Sequence, residues 1–248
     1  MRVPIRTYGR EDSDVRLLWT HGGGFFTGDL DMPEAHLVST ELAARADAFV
    51  VSVDYRLAGD GVRYPAPLDD VHDEWKALCA ERSDARVAIG GASAGAALAL
   101  ATALRTRDGD GRLPDALLLV YPFCHFPNPA LDEETRAVMA TMPELGRQTP
   151  AAVEDMVRTY VGRITDLPPY AMPGAARLSG LPATGILLSE FDDLRPSGEL
   201  LHRQLADERV PVTSHLVRGV PHGHLNLGAD FRGFDESLDF LARLLRSR

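Results

Sequence analysis

Residues 86–100 read RVAIGGASAGAALAL, and this stretch decides the fold that the sequence predicts. The apolar residues 87–89 predict a short strand, and the alanine and leucine run after Gly95 has a high helix propensity. Ser93 lies between them at a sharp turn, where Gly91 and Gly95 leave room for the strand and the helix to pass each other. The pattern therefore predicts a strand, a tight turn with Ser93 at its apex, and a helix.

A serine at such a turn has a hydroxyl that points out of the fold, toward solvent and substrate. The N-terminus of the following helix places backbone N–H groups, and the positive end of the helix dipole, beside any oxyanion formed at Ser93. A glycine- and alanine-rich turn with an incidental serine would show the same five residues. Motifs elsewhere in the chain are needed to distinguish a nucleophilic serine from an incidental one.

The composition is that of a globular protein, because 45% of the 248 residues are hydrophobic and 25% are charged. The formal net charge of −10 argues against nucleic acid as a partner, since phosphate binding requires clustered Lys and Arg. Cys79 and Cys124 predict free thiols in a reducing compartment, with a single bond between them as the alternative. No signal segment is seen, and no stretch approaches the roughly 18 apolar residues that span a bilayer. We therefore expect a cytoplasmic protein without a membrane span.

Alternation of strands and helices is the second signal for the fold. Further strands are predicted at 3–8, 15–20, 48–54, 116–121, 184–189 and 212–217. Helical patterns separate most of these strands, which is typical of a mostly parallel sheet with helices on both faces. We predict an α/β fold with one domain over residues 1–248.

The alternation stops between the fifth and sixth predicted strands. Residues from about 122 to 182 hold nine of the 17 prolines and no convincing strand, which predicts an insertion of short helices and loops. We expect this insertion to lie as a cap over the carboxyl edge of the sheet. Residues of one apolar stripe within it are expected to pack on the domain below: Val153, Met156, Val157, Tyr160 and Val161.

Three loops at the carboxyl ends of strands carry residues that could act together. Ser93 is followed along the chain by an acidic candidate, Asp192 or Asp193, and then by a histidine candidate, His222 or His224. A serine becomes a nucleophile when a neutral imidazole accepts its proton, and a carboxylate holds that imidazole in the required tautomer. Because such loops meet at one edge of a parallel sheet, this order predicts nucleophilic catalysis.

Six motifs in fixed order strengthen this hypothesis: HGGGF at 21–25, DYRL at 54–57, YPAPLDD at 64–70, GASAGA at 91–96, FDDLR at 191–195 and PHGH at 221–224. Together they resemble the bacterial hormone-sensitive-lipase-like branch of the α/β-hydrolase esterases. The resemblance implies an α/β-hydrolase fold. We expect no metal, since the histidines show no metal-ligand spacing, and no cofactor. The resemblance implies these roles: Ser93 as nucleophile, Asp192 as acid, His222 as base, the amides of Gly23, Gly24 and Ala94 as oxyanion donors, and His21 as the residue that orders the glycine loop.

This sequence also departs from the family pattern. Asp193 and His224 stand where proline and an aromatic residue are usual, so they remain rivals to their neighbours. HGGG begins at residue 21, which leaves no room for the N-terminal helices that usually form half of the cap. We therefore expect a reduced cap and a more open acyl site, unless a second subunit of a homodimer covers it.

The sequence thus predicts a serine carboxylesterase that hydrolyses small esters with short acyl chains through an acyl-enzyme. Phe25, Phe26 and Phe123 are candidates for the walls of the acyl pocket, and they could equally belong to the core. An amidohydrolase of the arylformamidase kind is the second hypothesis, since it shares a compact cap and a histidine-glycine-glycine loop. A noncatalytic ligand-binding protein on the same fold is the third.

Overall fold

A twisted sheet of seven strands forms the centre of the protein. The computed structural model describes residues 3–109, 111–142, 147–168 and 170–247. The strands are β1 (Ile5–Tyr8), β2 (Val15–Thr20), β3 (Phe49–Val53), β4 (Arg86–Ala92), β5 (Ala116–Val120), β6 (Thr184–Phe191) and β7 (Val212–Pro221). Their spatial order is β1-β3-β2-β4-β5-β6-β7, and only the β1–β3 pair is antiparallel. The predicted mostly parallel sheet is confirmed.

Seven α-helices accompany this sheet within the described residues. They are α1 (Pro33–Ala46), α2 (Ala66–Glu81), α3 (Ala94–Asp108), α4 (Glu133–Met139), α5 (Pro150–Val161), α6 (Arg195–Asp207) and α7 (Phe234–Arg246). The helices α1 and α7 cover one face of the sheet, and α2, α3 and α6 cover the other.

Side chains of each strand alternate between the two faces, so each face has its own core. In β2, for example, Leu17 and Trp19 pack with α1 and α7, whereas Leu18 packs with the helices of the opposite face. Strands buried on both sides need apolar residues at nearly every position, and β5 is buried throughout. This explains why the predicted strands appeared as continuous apolar runs.

The segment between β5 and β6 contains α4, α5 and a short 3-10 helix at Pro173–Ala175, and its described residues form no strand. The predicted apolar stripe of α5 is buried at Val153, Met156, Val157 and Tyr160. The ring of Tyr160 stacks on Phe25 with 4.0 Å between the ring centroids. The insertion therefore packs directly on the loop that follows β2.

Within the described ranges, no helix combines the length and apolar character needed to cross a lipid bilayer. Both cysteines are free thiols: Cys124 is buried and Cys79 is partly buried. Burial raises the pKa of the Cys79 thiol to about 11, so this group stays protonated at neutral pH.

Candidate active site

Ser93 is the single residue between β4 and α3, and its backbone is strained. Its φ of 53° and ψ of −116° lie outside the regions that a residue with a side chain normally adopts. A Cβ atom on Gly91 would lie 2.1 Å from Thr20 Oγ1, and one on Gly95 would lie 2.3 Å from the carbonyl oxygen of His21. The predicted strand, sharp turn and helix are confirmed, and both glycines are required by close backbone packing.

His222 connects Ser93 to Asp192. Its Nε2 lies 3.0 Å from Ser93 Oγ, and its Nδ1 lies 2.8 Å from Asp192 Oδ2. Because the Asp192 carboxylate accepts a hydrogen bond from Nδ1, the proton of the neutral ring is on Nδ1 and Nε2 is free to accept from the serine. The loops after β4, β6 and β7 therefore meet at one edge of the sheet.

Asp192 is held firmly in this position. Its side chain is buried, and Oδ1 accepts a hydrogen bond from the amide of Leu194 at 2.7 Å. Strand β6 continues to Phe191, two residues beyond the predicted end, so Asp192 follows the strand directly. The amide of His222 also donates to the carbonyl of Phe191, which ties the two loops together.

The environment of His222 favours its charged form. Burial lowers its pKa, but the attraction and hydrogen bond of Asp192 outweigh this effect, with a further contribution from Glu34. The net result is a pKa above the ordinary value of 6.5. The site can therefore stabilise an imidazolium formed when this ring takes up a proton.

The rival histidine, His224, lies in a different environment. It is fully buried, with Nδ1 at 3.0 Å from Ser189 Oγ and Nε2 at 2.9 Å from Ser237 Oγ. Burial, and then the proximity of His222, lower its pKa to about 4. His224 thus links β6 to α7 as a neutral ring, and its two ring nitrogens contact buried serines other than Ser93.

The glycine loop after β2 presents bare backbone to the site. Gly23 and Gly24 have φ values of 102° and 62°, and a Cβ atom on Gly23 would lie 2.0 Å from the carbonyl oxygen of Thr27. The amide of Gly22 donates to Glu34 Oε1 at 2.6 Å, so this donor is already occupied. The next two amides, of Gly23 and Gly24, belong to residues that line the cavity beside Ser93.

His21, at the start of this loop, contacts its backbone and stacks on a buried tyrosine. Its Nδ1 lies 2.7 Å from the carbonyl oxygen of Gly22, and its ring stacks on Tyr55 with 4.4 Å between centroids. The Tyr55 hydroxyl contacts the carbonyl oxygens of His21 and Gly22 at 3.0 and 3.1 Å. Burial lowers the pKa of His21, which keeps the ring neutral.

Glu34 is a site residue that sequence reasoning missed. This buried carboxylate in the first turn of α1 binds the amide of Gly22 and accepts a hydrogen bond from the Tyr121 hydroxyl at 2.6 Å. An acidic residue just after Pro33 has the ordinary appearance of a charge that favours a helix N-terminus. No signal in the sequence indicates that its partners lie 12 and 87 residues away.

A cavity of about 260 Å³ opens over Ser93 and His222. Its apolar wall includes Phe26, Met32 and Met156, and Phe26 is 43% exposed. Phe25 and Phe123, the other two aromatic candidates, are fully buried in the core and are absent from the lining. Among the residues that the structure describes, no cluster of three or more His, Cys, Asp and Glu side chains could hold a metal ion.

Comparison with known proteins places this geometry in a family. A model of the alpha/beta hydrolase fold matches residues 17–226. The chain belongs to this α/β-hydrolase family. It is 35% identical over 224 residues to esterase LipI of Mycobacterium tuberculosis, covering 84% of this chain and 65% of LipI. It is 33% identical over 243 residues to carboxylesterase NlhH of the same organism, covering 90% of this chain and 72% of NlhH.

Solved structures of esterases share the same architecture. An esterase of Pyrobaculum calidifontis superposes with a TM-score of 0.85 at 31% identity, covering 98% of this chain and 80% of that one. A hormone-sensitive lipase from a metagenome library gives 0.85 at 27% identity, covering 97% and 81%. The α/β-hydrolase fold and the hormone-sensitive-lipase-like esterase family, both predicted from the six motifs, are confirmed.

Proposed function

We propose that this protein is a serine carboxylesterase that hydrolyses small esters with short acyl groups. The observation that carries the proposal is the position of His222, which lies within hydrogen-bond distance of both Ser93 Oγ and Asp192 Oδ2. A nucleophile, a base and a carboxylate that orients the base are the three parts that acyl transfer requires. Esterases among the relatives support the same reaction class.

In the proposed mechanism Ser93 Oγ attacks the ester carbonyl carbon while its proton passes to His222 Nε2. The tetrahedral oxyanion accepts hydrogen bonds from the amides of Gly23, Gly24 and Ala94. His222 then gives its proton to the leaving alkoxide, and the alcohol departs from an acyl-enzyme. Water then gives a proton to the same nitrogen and attacks the acyl carbon. The bond from that carbon to Ser93 Oγ breaks, Oγ takes the proton back from His222, and the acid is released.

The dimensions of the cavity support a small substrate. Its volume of about 260 Å³ lies slightly below the range of about 300–1,000 Å³ typical of ligand pockets. We propose that Phe26 contacts the substrate, and that Phe25 and Phe123 support the loop from the core. We also propose that residues 122–182 act as a cap on a single domain of residues 1–248, with α5 forming part of the wall.

The net charge and the two cysteines bear on the partners and the location of the protein. The formal charge of −10 supports a small-molecule ester, and not nucleic acid, as the partner. The two free thiols support the cytoplasm as the location, because a reducing compartment preserves thiols. A homodimer stays a prediction, which sedimentation of the purified protein would test.

The test of the function compares two serines that both contact a histidine. Replacing Ser93 by Ala should lower kcat/KM on p-nitrophenyl acetate and butyrate by about 10⁴-fold or more and abolish labelling by a fluorophosphonate. Ser189→Ala is the matched control. It should keep both the hydrolysis rate and the fluorophosphonate labelling, because Ser189 contacts the buried His224 and not His222. Wild-type rates in Ser93→Ala, or no labelling of the wild type, would refute a serine esterase. A preference for N-formylkynurenine over esters would favour the amidohydrolase hypothesis.

A further inference from the structure

A second carboxylate, Asp193, follows the candidate acid and contacts the insertion. The Arg147 guanidinium binds it through two parallel contacts, Nε to Oδ2 at 2.7 Å and Nη2 to Oδ1 at 2.8 Å. The Asp193 and Arg147 side chains are only 9% and 19% exposed. A two-pronged, largely buried ion pair fixes the relative orientation of its two residues much more strictly than an exposed one does.

Asp193 also binds the insertion at two further points. Its Oδ2 accepts a hydrogen bond from the amide of Gln148 at 2.9 Å, and its backbone carbonyl accepts one from Asn128 Nδ2 at 2.9 Å. Arg147 in turn donates to the carbonyl oxygen of Met139, at the end of α4. Asp193 thus binds two separated parts of the insertion directly, and Arg147 connects it to a third at Met139.

Two residues of the insertion connect these contacts to the cavity over Ser93. Gln148 lines the cavity over Ser93, and α5, which begins at Pro150, contributes Met156 to the same wall. Among the described residues of the insertion, Gln148 and Met156 are the two that line this cavity. The Gln148 amide donates to Asp193 Oδ2, so the ion pair contacts a residue that lines the cavity directly.

We propose that Asp193 is a positioning residue that sets the size of the ester accepted by the cavity. Its ion pair with Arg147 holds Gln148 and the start of α5 against the site. Removing Arg147 leaves the largely buried Asp193 carboxylate without its guanidinium, and removing that carboxylate takes away the acceptor of the Gln148 amide. In either variant residues 147–149 move toward solvent, and the wall of the cavity that Gln148 and Met156 form retreats from Ser93. This inference rests on the proposed esterase function, because it concerns the substrate of that same site.

The test measures selectivity in Asp193→Asn, Arg147→Met and the double variant. Each is assayed on p-nitrophenyl esters from acetate to octanoate and on acetate esters of alcohols of increasing size. In each series we take the ratio of kcat/KM for the largest ester to kcat/KM for the smallest. We expect this ratio to rise at least fivefold over wild type in either the acyl series or the alcohol series. The two single variants should show similar shifts and the double variant little further shift, since each of the three lacks the Arg147–Asp193 ion pair.

Arg158→Met is the matched control. Arg158 lies on α5 and pairs with Glu154, but both side chains are about half exposed, so its removal should leave the selectivity unchanged. Selectivity ratios within twofold of wild type in both series, or shifts that add in the double variant, would overturn the proposal. If Asp193→Asn does not fold, Arg147→Lys carries the test, because it keeps the charge and loses the two-pronged contact.

A second measurement is independent of catalysis. Hydrogen exchange of the Gln148 amide should be at least tenfold faster in Arg147→Met than in wild type, because that amide donates to Asp193 Oδ2, the oxygen that Arg147 Nε holds in place. Unchanged exchange would refute the positioning role even if the selectivity moved. If the wild-type protein hydrolyses no ester and the Gln148 amide still exchanges faster in Arg147→Met, the esterase function is refuted and the positioning contact stands.

Discussion

Glu34 Oε1 accepts a hydrogen bond from the amide of Gly22 at 2.6 Å, which joins the first turn of α1 to the loop that carries the candidate oxyanion donors. The next two amides of that loop belong to Gly23 and Gly24, which line the cavity. The carboxylate therefore fixes the loop through Gly22, and the amides of Gly23 and Gly24 stay the candidate oxyanion donors.

Removal of this carboxylate should reduce the rate of catalysis. In Glu34→Ala the buried Gly22 amide loses its partner, which costs about 1–3 kcal/mol, so we expect kcat to fall on the order of 10- to 100-fold. Glu34→Gln should retain most of the activity, because an amide oxygen still accepts from Gly22 and the amide nitrogen can donate to Tyr121. Steady-state kinetics of both variants provide the check; equal losses in the two would show that charge, and not position, matters.

The two neighbouring histidines should differ sharply in their roles. Replacing His222 by Ala removes the only described imidazole in contact with Ser93 Oγ, and kcat/KM should fall on the order of 10⁴-fold. His224→Ala should instead lower the free energy of unfolding by about 1–3 kcal/mol, because its bonds to two buried serines are lost. Urea unfolding and ester hydrolysis measured on both proteins separate these effects. A large rate loss in folded His224→Ala, with little in His222→Ala, would reverse the assignment.

The dependence of the rate on pH should follow His222. As the proposed base, His222 acts only when neutral, and its pKa lies above 6.5, so kcat/KM should fall as the pH drops through neutrality. His224, with a pKa of about 4, titrates well below this range and contributes nothing to that limb. In Asp192→Asn the attraction of the carboxylate is lost, so burial should lower the pKa of His222. The acid limb of the residual activity should therefore move to lower pH. A pH–rate profile of each protein tests this, and a limb that stays in place would contradict the proposed pairing.

The sharp turn at Ser93 should tolerate no side chain at Gly95. A Cβ atom there would lie 2.3 Å from two backbone oxygens, so Gly95→Ala should destabilise the protein by about 1–3 kcal/mol or more and lower the activity of the folded fraction. Gly109→Ala is a suitable comparison, because its nearest contact would be 3.1 Å and its φ of −110° suits any residue. The midpoints of urea unfolding are the measurement. Equal midpoints for the two variants would show that the turn can relax.

Features that depend on neighbouring residues in the chain could be predicted from the sequence. The apolar runs and helix signals gave the alternation of strands and helices, because each side chain's preference acts locally. The glycines at 91 and 95 predicted the turn, since only a residue without Cβ fits where strand and helix cross. The order of a serine, an acidic candidate and a histidine candidate along the chain predicted that their loops would meet, because strands that run parallel end at one edge.

Tertiary structure alone decided between residues that are adjacent or nearly adjacent in the chain. Asp192 points to His222 while Asp193 binds Arg147, and His224 is buried between two serines although it lies two residues from His222. Such neighbours have the same composition around them, so the path of the backbone determines which one faces the site. The role of Glu34 has the same origin, because its partners come from distant segments that only the folded sheet brings together.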